Sequence, residues 1–188
     1  MAEIFIELYS EEIPSKLQTD ARKKIRLIIE EKLLKKEIKF TISRSFSTPK
    51  RLVFLIQGIP EKIEEKKKII KGPKVDAPQV AIEGFIKSNN LNKADLYKKK
   101  LDKGEFYFAE TKPKIIDIFE ELKLIIPDSI KDYSWKKSMK WSNYDLNWAR
   151  PLKSIVAMLD NKIIDFNFFH LKSGNLTNIE GLKEEKLI

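Results

Sequence analysis

Apolar and polar residues alternate at the start of the chain and then recur at helical spacing. Within the first eight residues Ile4, Ile6 and Leu8 share one face, which predicts a half-buried strand. Pro14 suits the first turn of a helix, and the pattern that follows predicts a helix from about 14 to 36. Its apolar positions are Leu17, Ala21, Ile25, Ile28, Ile29 and Leu33.

The helix is followed by two apolar segments separated by a short polar one. Residues 38–42 alternate and predict a second strand, and residues 52–56 form an apolar run that predicts a more deeply buried strand. Residues 44–51 between them are polar and predict a loop. Because the connection is short, we expect these two strands to form an antiparallel pair. Arg22 and Arg26 fall on the solvated face of the preceding helix.

The rest of the chain shows two hairpin signals and two further helical patterns. One hairpin is expected over 96–110 with Gly104 at its turn, and another over 154–169 around residues 160–162. Helices are predicted over 77–88 and 114–124. Residues 128–148 are polar, rich in tryptophan and without a regular pattern, which predicts irregular structure.

These elements predict an α+β fold with a mixed or antiparallel sheet and flanking helices. Residues 1–60 form a strand–helix–strand–strand unit, and residues 61–175 form a second α+β part with two hairpins, continuous with the first as one domain. Residues 176–188 are expected to be a loosely ordered tail, because they carry little to anchor them. The charge-dense stretch over 61–71 is the one internal boundary that composition suggests.

Composition narrows the possible chemistry. The chain has no cysteine, which excludes disulfides and thiolate sites. Its net charge of +9 favours a polyanionic partner or an acidic subunit, although an AT-rich genome also produces many lysines. Only five arginines are present, and Arg44, Arg51 and Arg150 are the more informative cations because a guanidinium binds in a planar fork. No signal sequence or apolar run of membrane-spanning length is visible, so we expect a cytoplasmic protein with no membrane partner.

The sequence does not predict a complete active site. His170 is the single histidine, so a metal site built from several histidines is excluded. His170 falls at the end of a predicted strand beside Phe168 and Phe169, where a structural role is expected rather than a catalytic one. Neither of the common glycine-rich phosphate motifs is present. Glu11 and Glu12 are adjacent carboxylates, but adjacent side chains diverge and a helix start explains acidic residues. A metal-dependent hydrolase that uses Glu3, Glu7, Glu11 or Glu12 is therefore the weaker alternative.

Three basic segments are candidates for nucleic-acid contact. Residues 48–51 and 71–74 place lysine or arginine at turns, and residues 135–141 interleave lysines with tryptophans. The last arrangement suits phosphate contact combined with base stacking. The alternative for each segment is a solvated loop, with the tryptophans as core anchors. Arg150 could equally pair with a carboxylate such as Asp145.

The same segments resemble the beta subunit of the bacterial two-subunit glycyl-tRNA synthetase. Residues 3–14 resemble the opening of that family, where a short strand runs into a Thr/Ser-Glu-Glu-Leu/Ile-Pro turn. Residues 48–52, Thr-Pro-Lys-Arg-Leu, are similar to its Thr/Ala-Pro-Arg-Arg-Leu segment. Further similar segments follow in the order that the family has, at residues 71–73, 81–85, 103–105, 137–141, 149–151 and 173–174.

The resemblance implies a role in a class II aminoacyl-tRNA synthetase, a ligase of protein biosynthesis. In that family the alpha chain holds the catalytic site for ATP and glycine, so ATP and Mg²⁺ are expected there and no cofactor in this chain. The beta chain binds tRNA(Gly) and forms a hetero-oligomer with alpha. The residues expected to neutralise RNA phosphates are Lys50, Arg51, Lys71, Lys137, Lys140 and Arg150, with Trp141 as a stacking surface.

The chain also departs from the family pattern. Residues 178–182, Asn-Ile-Glu-Gly-Leu, stand where the family usually has a Gly-His-Arg-Phe element, and the chain is much shorter than a full beta subunit. The resemblance therefore predicts the amino-terminal region of a larger multidomain subunit. The departures suggest a gene fragment, a split gene or a frameshifted reading frame as its origin. Two alternatives remain: an interaction module that docks only on the alpha chain, and a non-functional remnant that folds poorly.

Overall fold

The computed structural model of the protein describes residues 1–60, 63–64, 69–101, 104–110, 115–140, 145–178 and 185–187. Its helices are α1 (Ser15–Lys35), α2 (Gln79–Ser88) and α3 (Ile118–Asp132), with a 3₁₀ turn at Lys93–Asp95. Its strands are β1 (Ala2–Ser10), β2 (Ile42–Thr48), β3 (Arg51–Ile59), β4 (Ile63–Glu64), β5 (Ile69–Lys74), β6 (Leu96–Leu101), β7 (Gly104–Glu110), β8 (Ile115–Ile116), β9 (Met139–Lys140), β10 (Asn147–Trp148), β11 (Leu152–Leu159), β12 (Lys162–Ile163), β13 (Asn167–Phe168), β14 (Leu171–Gly174), β15 (Leu176–Asn178) and β16 (Glu185–Leu187).

The chain forms two compact units. The first unit contains Met1–Ile63 and Asp117–Ile188, and the second contains Glu64–Ile116. The predicted division at residues 60 and 175 is therefore corrected, because β11 pairs with β1 and returns the later part of the chain to the first sheet. The boundary expected within 61–71 does coincide with the point at which the chain leaves the first unit.

The first unit is built on a mixed sheet, which confirms the predicted α+β class. The strand order is β13-β14-β11-β1-β3-β2, with β12 also paired to β11. β1 is antiparallel to both β3 and β11, whereas β11 and β14 are parallel. The predicted inner face of β1 is confirmed, since Ile4, Ile6 and Leu8 are all buried. β2 and β3 are antiparallel, as expected.

Helix α1 covers one face of this sheet. It begins at Ser15, directly after Pro14, and it buries Ala21, Ile25, Ile29 and Leu33 at helical spacing. Each large apolar side chain removed from water in this way contributes about 1.5–3 kcal/mol. The helix end is closed by the N–H groups of Lys36 and Ile38, which both donate to the carbonyl of Leu33 at 3.0 and 2.9 Å. The predicted helix over 14–36 is confirmed.

Strand β2 corrects two predictions. The strand expected over 38–42 and the loop expected over 44–51 are replaced by one strand, Ile42–Thr48. Arg22 and Arg26 of α1 donate to the carbonyl oxygens of Ser45 and Ser43 at 2.9 and 3.0 Å. The two arginines therefore hold the edge strand β2 rather than lie free in solvent. β2 forms without an apolar face, because its backbone pairs with β3 on one side and accepts these arginine donors.

Helix α3 begins and ends later than the pattern predicts. The Asp117 carboxylate accepts the N–H groups of Phe119 and Glu120 at 3.0 and 3.4 Å, which fixes the start at Ile118. The helix continues through Pro127 to Asp132, so the first part of the expected irregular region is helical. Burial of an apolar stripe sustains it despite the proline, with Leu122, Ile125, Ile126 and Ile130 facing inward.

The second predicted hairpin is confirmed at its turn but not along its full length. β11 pairs with β12 around Asp160, which adopts a φ of +49°. The expected second strand, 163–169, is broken between β12 and β13. Ser173 explains the bend, because its hydroxyl donates to the Ile164 carbonyl at 2.7 Å and accepts the Phe166 N–H at 2.8 Å.

The tail prediction is corrected for the residues that the structure describes. Leu176–Asn178 forms β15, which pairs antiparallel with β16. Thr177 and Asn178 also bond to side chains of the main sheet, as described below. Local polarity did not predict this anchoring because the partners are distant in sequence.

The second unit is a three-stranded antiparallel sheet with one helix. Its strand order is β5-β7-β6, and β6 pairs with β7 as the first predicted hairpin. Gly104 adopts a φ of +120°, which favours glycine at this position of the turn, while residues 102–103 lie outside the described part of the chain. The helix expected over 77–88 is present as α2. Across the described residues of both units, no helix is long and apolar enough to cross a membrane.

Candidate nucleic-acid interface

Three separate segments of the chain meet beside the connection between β1 and α1. The Ser10 N–H donates to the Lys50 carbonyl at 2.8 Å, and the Ile13 N–H donates to the Pro49 carbonyl at 2.7 Å. The Glu11 N–H donates to the Pro151 carbonyl at 3.0 Å. Backbone hydrogen bonds thus join residues 10–13, 49–50 and 151 into one surface, which we call the β1–α1 junction.

The turn between β2 and β3 supplies one side of this junction. Thr48 and Arg51 are paired across the ladder, so Pro49 and Lys50 form a two-residue turn. Both turn carbonyls are used by the junction, which fixes the turn against β1. The predicted contact residue Lys50 is therefore displayed from a rigid support.

Arg51 makes internal contacts on the sheet. Its Nε lies 3.2 Å from Oε2 of Glu7, and the two side chains are 20% and 7% exposed. Its guanidinium also lies 4.7 Å from the ring centre of Tyr9. The Thr177 hydroxyl donates to Glu7, and Arg51 donates to the backbone carbonyl of Asn178. These contacts give Arg51 a structural role, and contact with RNA stays a prediction for this residue.

Arg150 lies on the opposite side of the β1–α1 junction. Its Nε donates to the Glu12 carbonyl at 3.2 Å. The alternative partner considered from the sequence, Asp145, is instead paired with Lys140 at 2.8 Å, so that pairing is wrong. Arg150 is half-buried, and its guanidinium carries further N–H donors besides Nε.

A second ion pair borders the same junction. Lys153 Nζ lies 2.5 Å from Oε1 of Glu11. The hydrogen bond from Lys153 and its charge hold the pKa of Glu11 below its ordinary value of 4.5, and the charge of Lys50 acts in the same direction. Glu11 is thus paired with a cation. It lies outside the first turn of α1, which starts four residues later, so the expected interaction of Glu11 with the helix dipole is not made.

Lys140 lies in a short ladder formed by β9 and β10, and Lys137 lies just before that ladder. Both side chains are exposed, and Lys140 is paired with Asp145. The hydrogen bond from Lys140 lowers the pKa of Asp145. Trp141, the predicted stacking residue of this segment, lies outside the described residues.

The other tryptophans are core residues. Trp135 and Trp148 are 6% and 1% exposed, and their rings meet edge to face with centroids 4.9 Å apart. Tyr133 packs against Trp135 at 5.0 Å, and its hydroxyl donates to Asp20 at 3.1 Å. Burial raises the pKa of Tyr133, and the hydrogen bond to Asp20 adds to the rise. For these two tryptophans the core-anchor alternative is confirmed.

Lys71 belongs to the second unit and is described with that unit alone. It is an exposed residue of β5, and its Nζ lies 3.7 Å from the ring centre of Phe106. Lys71 thus belongs to the second unit, whereas the other predicted contact residues that the structure describes belong to the first.

The acidic residues do not support the hydrolase alternative. Glu3 accepts a hydrogen bond from Gln57 at 2.5 Å, Glu7 pairs with Arg51 and Glu11 pairs with Lys153. In the described ranges, no three acidic or histidine side chains are grouped so that they could hold a metal ion. The carboxylates of Glu3, Glu7 and Glu11 thus serve separate local contacts.

Two partners in this region were missed by sequence reasoning. Glu7 is buried although β1 was predicted to be only half-buried, and Lys153 was not singled out. The alternation of side chains along a strand does place Glu7 on the sheet face opposite to that of Ile6 and Leu8. The pairing partner could not be predicted, because it depends on the β1–β3 register.

Comparison with known proteins places this arrangement in a family. A family profile described as glycyl-tRNA synthetase beta subunit matches residues 4–187. A glycine–tRNA ligase beta subunit of Rickettsia typhi is 39% identical over 177 residues, which are 94% of this chain and 26% of the relative. Corresponding subunits of Rickettsia bellii and Rickettsia prowazekii are each 37% identical and cover 99% and 94% of the chain.

The chain spans about a quarter of the length of these relatives, 28% for the Rickettsia bellii protein. It aligns with their amino-terminal part. Three of the segments that carry the resemblance, at residues 3–14, 48–52 and 149–151, meet at the β1–α1 junction. The profile extends across both units. The chain therefore belongs to the glycyl-tRNA synthetase beta-subunit family.

Proposed function

We propose that this chain contributes tRNA binding and alpha-subunit assembly to glycine–tRNA ligase, which joins glycine to tRNA(Gly) with ATP. The family supports this proposal, since relatives of this chain are named as beta subunits of that ligase. In the proposal, ATP and Mg²⁺ bind the alpha subunit, and this chain supplies no catalytic residue. The protein acts in the cytoplasm as part of a hetero-oligomer.

The observation that carries the tRNA role is the rigid presentation of cations at the β1–α1 junction. Lys50 extends from a turn whose two carbonyls are both hydrogen-bonded, and Arg150 is held by the Glu12 carbonyl. A net charge of +9 adds long-range attraction to a polyanion. Preorganised cations lose less conformational entropy on binding phosphate than cations on a mobile loop.

Binding of the full chain to tRNA(Gly) across a salt series tests this role. Each neutralised phosphate contributes roughly 0.7–0.9 to the slope of log affinity against log salt concentration. Arg150→Gln should weaken binding and lower that slope by about one contact. Lys35→Gln is the matched control, because Lys35 lies at the end of α1 in an ion pair with Glu31. A flat salt response of the unmodified chain contradicts the proposal.

Assembly is tested separately by co-purification with the alpha subunit. Recovery of an alpha–beta complex supports the assembly role, whereas recovery without any tRNA(Gly) binding favours the interaction-module alternative. The poorly folded remnant is distinguished by circular dichroism, because a folded chain melts cooperatively and a remnant does not.

A further inference from the structure

One face of the sheet in the second unit carries three aromatic rings. Tyr97 of β6 pairs with Phe108 of β7, and Lys99 pairs with Phe106. Paired residues point to the same side of a sheet and side chains alternate along each strand, so all four share one face. The Tyr97 and Phe108 rings stack with centroids 6.0 Å apart and an interplanar angle of 28°. We call this surface the aromatic face.

The core of the second unit lies on the opposite side of the same sheet. Ala109, which alternates with Phe108, is fully buried there. A Cβ atom added at Gly72 would lie 2.9 Å from the Phe85 ring, so α2 packs closely on this side. The aromatic face is therefore not the packed face of the unit, and Tyr97 is 40% exposed.

Three lysines are distributed among the rings. Nζ of Lys71 lies 3.7 Å from the centre of Phe106, and Nζ of Lys74 lies 5.9 Å from the same ring. Nζ of Lys99 lies 5.9 Å from the centre of Phe108. All three side chains are exposed, and each lies near a ring of this face. Glu110 lies at the end of β7 on the same face.

We propose that the aromatic face binds an unpaired segment of RNA, with bases stacked on Tyr97, Phe106 and Phe108 and phosphates contacted by Lys71, Lys74 and Lys99. Exposed aromatic rings on a four-stranded sheet are known to stack about two or three RNA bases, and the aromatic face offers three rings on a three-stranded sheet. An exposed ammonium–ring contact is weaker than base stacking, so Lys71 can leave the Phe106 ring and move to a phosphate. The inference rests on the proposed tRNA role and specifies that unpaired nucleotides, not duplex, occupy this face.

Charge complementarity favours RNA over a protein occupant. Residues 64–116 contain thirteen lysines against eight aspartates and glutamates. A protein partner of an aromatic patch generally presents apolar side chains, and three ammonium groups between the rings would lose hydration without compensation. The phosphates of an RNA strand compensate these charges while its bases cover the rings.

Binding of the full chain to a short fluorescein-labelled single-stranded RNA, and to the same strand annealed as a duplex, tests the inference. The double variant Lys71→Gln/Lys99→Gln should lose affinity for the single strand, with a salt slope lower by roughly 1.4. Lys98→Gln/Lys100→Gln is the matched control, since these lysines alternate with Lys99 on β6 and point to the other face. The control should lose markedly less affinity.

Removal of one ring separates stacking from charge. Tyr97→Leu retains apolar volume but abolishes the aromatic plane, and it should reduce single-strand affinity about fivefold or more. Its effect on duplex binding should be small. Ultraviolet cross-linking followed by peptide mass spectrometry should locate the RNA on the β6 or β7 peptide in the unmodified chain.

The outcomes distinguish the two proposals. If the chain binds tRNA(Gly) but the two lysine pairs behave alike and Tyr97→Leu is neutral, the aromatic face is not the RNA site and the proposed tRNA role stands. If single-stranded RNA binds through the aromatic face while tRNA(Gly) does not bind at all, the proposed tRNA role fails alone. A protein that occupies the aromatic face in the alpha–beta complex and blocks single-stranded RNA also overturns the inference.

Discussion

The guanidinium of Arg51 and the buried carboxylate of Glu7 form an ion pair across the β1–β3 ladder, with Nε 3.2 Å from Oε2. Tyr9 lies beneath the guanidinium, and Thr177 donates to the carboxylate from the strand that follows the main sheet. The pair thus joins the start of the chain to β15. Loss of the cation leaves a carboxylate that water can scarcely reach.

Arg51→Ala should therefore destabilise the first unit by about 2 kcal/mol or more, since a buried charge loses its partner. Trp135 and Trp148 lie in the core of the first unit, so urea unfolding followed by tryptophan fluorescence reports on it. Arg44→Ala is the control, because Arg44 is an exposed residue of the neighbouring strand β2. Equal unfolding midpoints for the two variants would show that the Glu7–Arg51 pair does not stabilise the fold.

Gly58→Ala should also destabilise the first unit, by about 1–3 kcal/mol. Gly58 adopts a φ of +82°, and a Cβ atom at this position would collide with the Thr41 side chain. Gly174→Ala is the matched control in the same unit, where an added Cβ meets no atom within 4 Å. Thermal melts of the two variants measure the difference, and a control that is destabilised as much as Gly58→Ala would refute the steric explanation.

Lys153→Gln should raise the pKa of Glu11 toward 4.5, because the hydrogen bond from Lys153 is the main cause of its depression. Carboxyl-detected NMR titration measures this pKa directly. Lys50→Gln should raise it less, since the charge of Lys50 has the smallest effect. A depressed carboxyl pKa stabilises the folded state above the ordinary value and loses that contribution as pH falls through the folded value. The stability difference between Lys153→Gln and the unmodified chain should accordingly vanish in acid.

Asp145→Asn should strengthen binding to tRNA(Gly) about two- to fivefold, because it releases Lys140 from an exposed ion pair. The salt dependence of binding should become steeper. Asp165→Asn is the matched control, since it breaks a comparably exposed pair with Lys172 at 3.3 Å. If the two variants strengthen binding equally, net charge explains the gain and Lys140 has no particular role.

Local sequence patterns predicted the elements in which buried apolar side chains and exposed polar side chains lie on separate faces. The face of β1 that contains Ile6, the stripe of α1 that contains Ile25, and the turn at Gly104 all follow from periodicity or backbone preference. The pattern failed for β2, which is not attached to the rest of the unit by an apolar face. Arg22 and Arg26 of α1 hold it instead through hydrogen bonds to its carbonyl oxygens. The pattern also failed for α3, where burial of residues such as Ile130 sustains the helix beyond Pro127.

The sequence predicted which segments contribute to the candidate surfaces, but it did not predict which segments lie next to one another. Residues 10–14, 48–52 and 149–151 stood out in the sequence, yet their meeting depends on hydrogen bonds between backbones far apart in the chain. The aromatic face has a sequence signal, because Tyr97 alternates with Lys98 and Phe106 with Tyr107. Which of the two alternating sets is packed became apparent only from the contact between Gly72 and Phe85.

The position of β1 between β3 and β11 has a consequence for synthesis of the chain on the ribosome. One edge of β1 can pair as soon as β3 emerges, but the other must wait for β11, which begins at Leu152. At usual translation speeds this interval lasts about 5–20 s. During that time the nascent chain presents an unpaired apolar strand edge, which makes it a natural client for ribosome-associated chaperones.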